Sequence, residues 1–111
     1  MQKLNEKLEN WRATTLAKAT SVLQTPTFKK SVKKLKPNQK NELDIAIKAL
    51  MAKPSLGEQK KGDLAFLRVY KFRMNRQLTL LGYRFDDDTL ALELMALGSH
   101  ENFYRDIKRR R

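Results

Sequence analysis

Three strand-like runs, joined by signals for only the shortest turns, fill the last third of this chain and leave it little choice of architecture. Phe66 to Arg73 is rich in aromatic and β-branched residues, Gln77 to Phe85 repeats that character, and Leu90 to Leu97 is almost wholly apolar. Met74-Asn75-Arg76 reads as a hairpin turn, although it lacks the Asn-Gly pair that would define one. Asp86-Asp87-Asp88 reads as a second turn, its carboxylates able to accept from the local backbone. Runs linked this closely pair as an antiparallel meander, because a parallel return needs a long crossover. The continuous apolarity of Leu90 to Leu97 places that strand inside the sheet with both faces covered.

The preceding half has a helical period. Leu4, Leu8 and Trp11 mark one face of a helix over Lys3 to Ala19, and Thr20 to Gln24 leans towards a short strand. Thr25 can cap a helix that opens with Pro26 and buries Phe28, Val32 and Leu35. Pro37 ends that helix and Asn38 caps the next, whose buried stripe is Leu43, Ala46, Ile47, Leu50 and Met51. Lys53-Pro54 stops it, and Ser55 to Asp63 reads as a loop. After Gly98, Glu101 to Lys108 can form a terminal helix with Ser99 as its cap. The expected fold is α+β: helices packed on one face of a small antiparallel sheet, a short C-terminal helix, and the other sheet face left open for function. All 111 residues fit one domain, with 1–19 as an added N-terminal helix and 20–108 as the core.

Charge narrows the partners. Twenty-four Lys and Arg against twelve Asp and Glu leave a formal charge of +12, and the pI is about 10.2. Lys29 to Lys40 contains six lysines and no acid. A polyanion such as RNA would release counterions on meeting such a surface, and an acidic protein would satisfy the same surplus. No cysteine and a single histidine remove disulfide frameworks, thiolate zinc sites and multi-histidine metal centres. No apolar run approaches the roughly 20 residues of a membrane span, and no secretory signal opens the chain, so a cytoplasmic protein without membrane contact or small-molecule cofactor is expected.

The lone histidine, His100, follows Gly98-Ser99 at the end of the last strand, and Tyr104 lies one helical turn on. A surface or capping role is the plainer reading of such a residue. Histidine, however, titrates near neutrality, with an ordinary pKa of about 6.5. Side-chain alternation puts Lys71 and Arg73 on one face of their strand and Arg68 on the other, while Arg84 shares a face with Leu80 and Gly82. Lys71, Arg73 and Arg84 can therefore form a basic patch near His100. RNA cleavage at a 2′-hydroxyl needs proton transfer and cations on the phosphate, which this set supplies without a metal. Glu93 reads as a structural partner for one of the cations.

These parts, in this order, resemble the RelE/ParE superfamily of bacterial type II toxins. The similarity covers Thr25 to Lys108. It rests on Phe28-Lys29-Lys30-Ser31-Val32-Lys33-Lys34-Leu35, on Lys60-Lys61-Gly62-Asp63-Leu64, on Leu67 to Phe72 and Leu81 to Arg84, and on Ala96-Leu97-Gly98-Ser99-His100-Glu101-Asn102-Phe103-Tyr104. The ending is similar to that of the histidine-bearing ribonucleases of the superfamily. The resemblance implies an endoribonuclease (mRNA interferase) that cuts mRNA on the ribosome and is neutralised by an acidic cognate antitoxin. It implies His100, Arg84, Lys71, Arg73 and Tyr104 as catalytic residues. Arg68, Lys60, Lys61, Lys29, Lys30, Lys33 and Lys34 would bind RNA. Leu80 stands where a family arginine faces the scissile phosphate, and Arg84 can substitute for it. Two other activities stay open: inhibition of DNA gyrase, as in ParE, and nucleic-acid binding without catalysis.

Overall fold

The structure is a computed structural model that describes residues 19–109. The helix expected over Lys3 to Ala19 lies outside those residues except for Ala19, which is buried and donates its N–H to the Met51 carbonyl at 3.0 Å. The elements run β1 (Ser21–Gln24), α1 (Pro26–Lys33), α2 (Pro37–Ala52), β2 (Glu58–Gln59), β3 (Arg68–Met74), β4 (Gln77–Asp86), β5 (Ala91–Gly98) and α3 (His100–Arg109). Short 3-10 turns at Pro54–Leu56 and Gly62–Leu64 flank β2. The sheet order is β1-β5-β4-β3-β2. Its antiparallel meander carries one parallel edge strand, β1 beside β5.

Local chemistry sets the helix starts. Thr25 Oγ1 accepts from the Phe28 N–H at 3.2 Å and donates to the Met95 carbonyl at 2.9 Å, so it caps α1 and ties it to β5. Met95 is free for this because a bulge at Gly82/Tyr83 leaves it unpaired with β4. Helix α2 starts at Pro37, one residue before the expected Asn38 cap. Proline has no N–H to lose at a first helical position, and Gln39 Oε1 accepts from the Lys36 N–H at 2.8 Å.

Two apolar layers enclose the sheet. On one face Phe28, Ile47, Leu50 and Met51 pack against Leu81, Tyr83, Leu92, Leu94 and Leu97. On the other, Phe103 and Ile107 of α3 cover Leu67, Val69, Leu80 and Ala96. The second face is therefore not open along its whole length, as the sequence led us to expect. Gly82 and Ala96 carry too little side chain to fill it, and Phe103 occupies the trough they leave.

Two connections also differ from expectation. The segment Ser55 to Asp63 is not all loop, since Glu58 and Gln59 pair with Val69 and Arg68. Two exposed edge residues give no alternation that a sequence could display. The β3–β4 hairpin turns on Asn75 and Arg76, both left-handed at φ 53° and 68°. This is the backbone of a primed two-residue turn, held without glycine.

Candidate active site

His100 is the first residue of α3 and is exposed. Its ring centroid lies 5.0 Å from that of Tyr104 at 59°. Tyr104 in turn meets the buried Phe103 edge-on at 5.0 Å, so the aromatic pair is anchored through Phe103 to the sheet. Lys60 Nζ sits 5.6 Å from the Tyr104 centroid and 3.2 Å from Glu58 Oε1. Glu58 lies directly across from Val69 on β3, which puts it on the same sheet face as Lys71 two residues on.

The charges of this cluster reinforce one another. A hydrogen bond from Lys60, then its charge, holds the Glu58 carboxyl below the usual carboxylate range, and Lys71 and Lys61 act in the same direction. The Tyr104 hydroxyl, then the Glu58 carboxylate, raises the Lys60 ammonium above the ordinary lysine value. At neutral pH the edge therefore presents an ionised Glu58–Lys60 pair against the ring of Tyr104, whose other neighbour is His100.

Sheet register sorts the remaining residues. Leu80 on β4 pairs with Lys71 on one side and Gly98 on the other, so Lys71 shares a row with the strand end that leads into His100. Arg73 is exposed one same-face position nearer the hairpin, and its guanidinium donates to the Arg76 carbonyl at 3.2 Å. Arg84 is not brought to His100. It stands four residues along β4 from Leu80, about 13 Å at strand rise, and pairs with Glu93 at 3.1 Å. Glu93 thus has the structural role read for it.

Arg68 also belongs elsewhere. It is on the face that packs under the helices, and its guanidinium donates to the carbonyls of Gly57 (2.7 Å) and Ser55 (3.3 Å). The ammonium groups of Lys29, Lys30, Lys33 and Lys34 are exposed on α1, in the helical layer across the sheet from α3. Lys61 is exposed next to the Glu58–Lys60 pair. Sequence reasoning missed Glu58. A lone acid between Gly57 and Lys60-Lys61 could have been noticed, but only the β2–β3 register shows where it points.

Among the described residues no group of three potential metal-ligating side chains converges, and no helix is long and apolar enough to cross a membrane.

A helical pair lies on one face of the five-stranded sheet, and a terminal helix presents an imidazole and a phenol on the other, a small α+β fold. The family model for the ParE-like toxin of type II bacterial toxin-antitoxin systems matches residues 22–108. The chain belongs to that family. Solved structures of the same fold include a double mutant of the Escherichia coli toxin RelE in the free state. It matches with TM-score 0.61 and 16% identity, covering 79% of this chain and 94% of that one. The RelBE2 toxin-antitoxin complex of Mycobacterium tuberculosis matches with TM-score 0.59 and 22% identity over 72% of this chain and 96% of the other. The intact E. coli RelBE complex matches with TM-score 0.57 and 15% identity over 70% and 93%. No curated protein matches the chain by sequence.

Proposed function

We propose that this toxin is an endoribonuclease that cuts mRNA on the ribosome without a metal ion. The observation that carries the reading is the placement of His100 against Tyr104, with Lys60 over the same ring and Lys71 on the same sheet face. In the reaction the 2′-oxygen attacks the adjacent phosphorus, its proton leaves to a base, and the departing 5′-oxygen takes a proton from an acid. The products are a 2′,3′-cyclic phosphate and a free 5′-hydroxyl. His100 handles one of the two proton transfers, and the Glu58 carboxylate stands at the same edge for the other. Lys60, Lys71 and Arg73 neutralise the charge that builds on the non-bridging oxygens. Tyr104 stacks an unpaired base or orients the phosphate. The lysines of α1 and Lys61 hold the surrounding RNA backbone. An acidic antitoxin laid across this cationic edge would silence it.

The test is to map mRNA 5′ ends after brief induction of the wild type and of His100→Ala. New ends should appear with the first and vanish with the second, while the variant still folds. Unchanged cutting by the variant refutes the assignment.

The family model favours a second reading, because its description is ParE-like. Under that reading the chain inhibits DNA gyrase. A DNA-damage response with intact mRNA, equally strong in His100→Ala, would select it.

A further inference from the structure

A concave feature lies around α3 from the candidate active site. Lys34 at the end of α1 and Arg105 on α3 flank it, with Leu35, Met74 and Leu97 beneath and Asn102 at the rim. Its volume is about 400 Å³, within the range of small-ligand clefts. We infer that this groove is a nucleotide subsite, which seats one unpaired base and its phosphate of the RNA strand next to the cut. The inference rests on the ribonuclease reading only for the position of the cut.

The chemistry of the walls fits a nucleotide. Met74 and Leu97 are each only 7% exposed, so they offer a shallow apolar floor for the face of a base. Lys34 and Arg105 are both exposed cations, and no acid lines the groove. Asn102 Oδ1 accepts from Arg105 Nη2, which fixes the guanidinium plane and leaves its other N–H groups for a phosphate. The Asn102 amide NH₂ remains a donor for a carbonyl on the base edge.

Position links the groove to the chemistry. Gly98 borders it, and His100 follows two residues later. At 3.6 residues per turn, Asn102 and Arg105 project roughly 140–200° around α3 from His100. A strand crossing the first turn of α3 would therefore meet His100 on one side and the groove on the other.

An acidic peptide is the competing occupant. A bound helix needs several apolar anchors at i, i+4 and i+7. Among the described residues the exposed large apolar side chains are Leu23, Ile45, Leu56, Phe66, Leu78 and Leu90. None of them borders the groove, so such a helix would have no second anchor outside it.

The test uses the full chain carrying His100→Ala and a fluorescein-labelled RNA hexamer with uncleavable 2′-O-methyl sugars, read by anisotropy. Lys34→Glu and Arg105→Glu should each weaken binding about tenfold and lower the salt slope by about one. Lys53→Glu, the same charge change at an exposed residue outside the groove, should weaken it much less. If Arg105→Glu disturbs α3 by circular dichroism, Arg105→Gln replaces it. Equal losses for Lys53→Glu and Lys34→Glu would mean diffuse attraction and overturn the subsite. A glutamate-rich peptide that depends on Lys34 and Arg105 while the RNA does not would overturn it in favour of a protein partner. RNA held through the groove by a chain that cuts no mRNA would refute the ribonuclease reading and keep the subsite. Full cutting by the Lys34→Glu, Arg105→Glu double variant would do the reverse.

Discussion

The ring of Phe103 occupies the space that a side chain at Gly82 would need: a Cβ there would stand 2.6 Å from Phe103 Cζ and 2.8 Å from Cε1. Gly82 is thus the seat of α3, and α3 carries His100 and Tyr104. Gly82→Ala should destabilise the protein by about 1–3 kcal/mol, the usual cost of overpacking. Cleavage should fall further than stability, because the helix bearing the imidazole is displaced. Thermal unfolding, and cleavage assayed where the variant is still folded, check both parts.

Tyr83 anchors the loop before β2. Its buried hydroxyl accepts from the Gly57 N–H at 2.8 Å and donates to the Pro54 carbonyl. Tyr83→Phe leaves both groups without that partner and should cost about 1–3 kcal/mol. Burial pushes the Tyr83 phenol up, so its contribution is whole below the ordinary value of about 10 and is lost as pH rises through the higher folded value. The wild type should therefore lose stability above about pH 10, and Tyr83→Phe should lack that loss. Urea unfolding on either side of that pH tests the sign.

The Glu58–Lys60 pair predicts an acid effect. The folded Glu58 carboxyl lies below its ordinary value, so its contribution is present above about pH 4.3 and lost as pH falls through the lower folded value. The melting temperature of Glu58→Gln should sit below that of the wild type at pH 7, and the gap should close in strong acid. Cleavage by Glu58→Gln should drop at neutral pH, since Lys60 loses the group that holds it over Tyr104.

Arg76 stands at φ 68° in a two-residue turn. That conformation costs a non-glycine residue about 1–2 kcal/mol. Arg76→Gly should raise stability by about 1 kcal/mol without altering cleavage, because the Arg73 guanidinium bonds the Arg76 carbonyl and not its side chain. Chemical denaturation measures the gain.

The Arg84–Glu93 pair should matter little. Arg84 is 56% exposed, and exposed ion pairs contribute about 0–1 kcal/mol. Arg84→Ala should keep most of the cleavage activity, whereas Lys71→Ala should lose at least about tenfold. Parallel cleavage assays separate the two.

Much of this fold was legible where periodicity is long. The buried stripe Leu43 to Met51, the Thr25 cap with Pro26 behind it, and the burial of Leu92, Leu94 and Leu97 follow from spacing alone. Leu90, read as the first residue of that strand, is instead an exposed left-handed residue of the turn before it, and Glu93 and Met95 leave the strand's burial alternating. Parity along β3 and β4 also placed Lys71 and Arg73 on one face and Arg68 on the other. What escaped were distances between elements. Sharing a face did not reveal that Leu80, and not Arg84, pairs with Gly98, because the register between two strands is written in neither one alone. Glu58 was invisible for a different reason: β2 is two residues long, and only its partner on β3 orients it. Covering of the second face depended on the absence of bulk at Gly82, a property that has no periodic signature.

The parallel pairing of β1 with β5 ties Ser21 to Ala91 and Thr25 to Met95, partners 70 residues apart. Contacts of such long range form late. Translation must therefore run nearly to the end of the chain before the sheet can close, and the helix bearing His100 comes later still. A fragment that stops before Ala91 lacks the strand that joins β1 to β4 and everything that seats the last helix, so it can neither close the sheet nor present His100 on it.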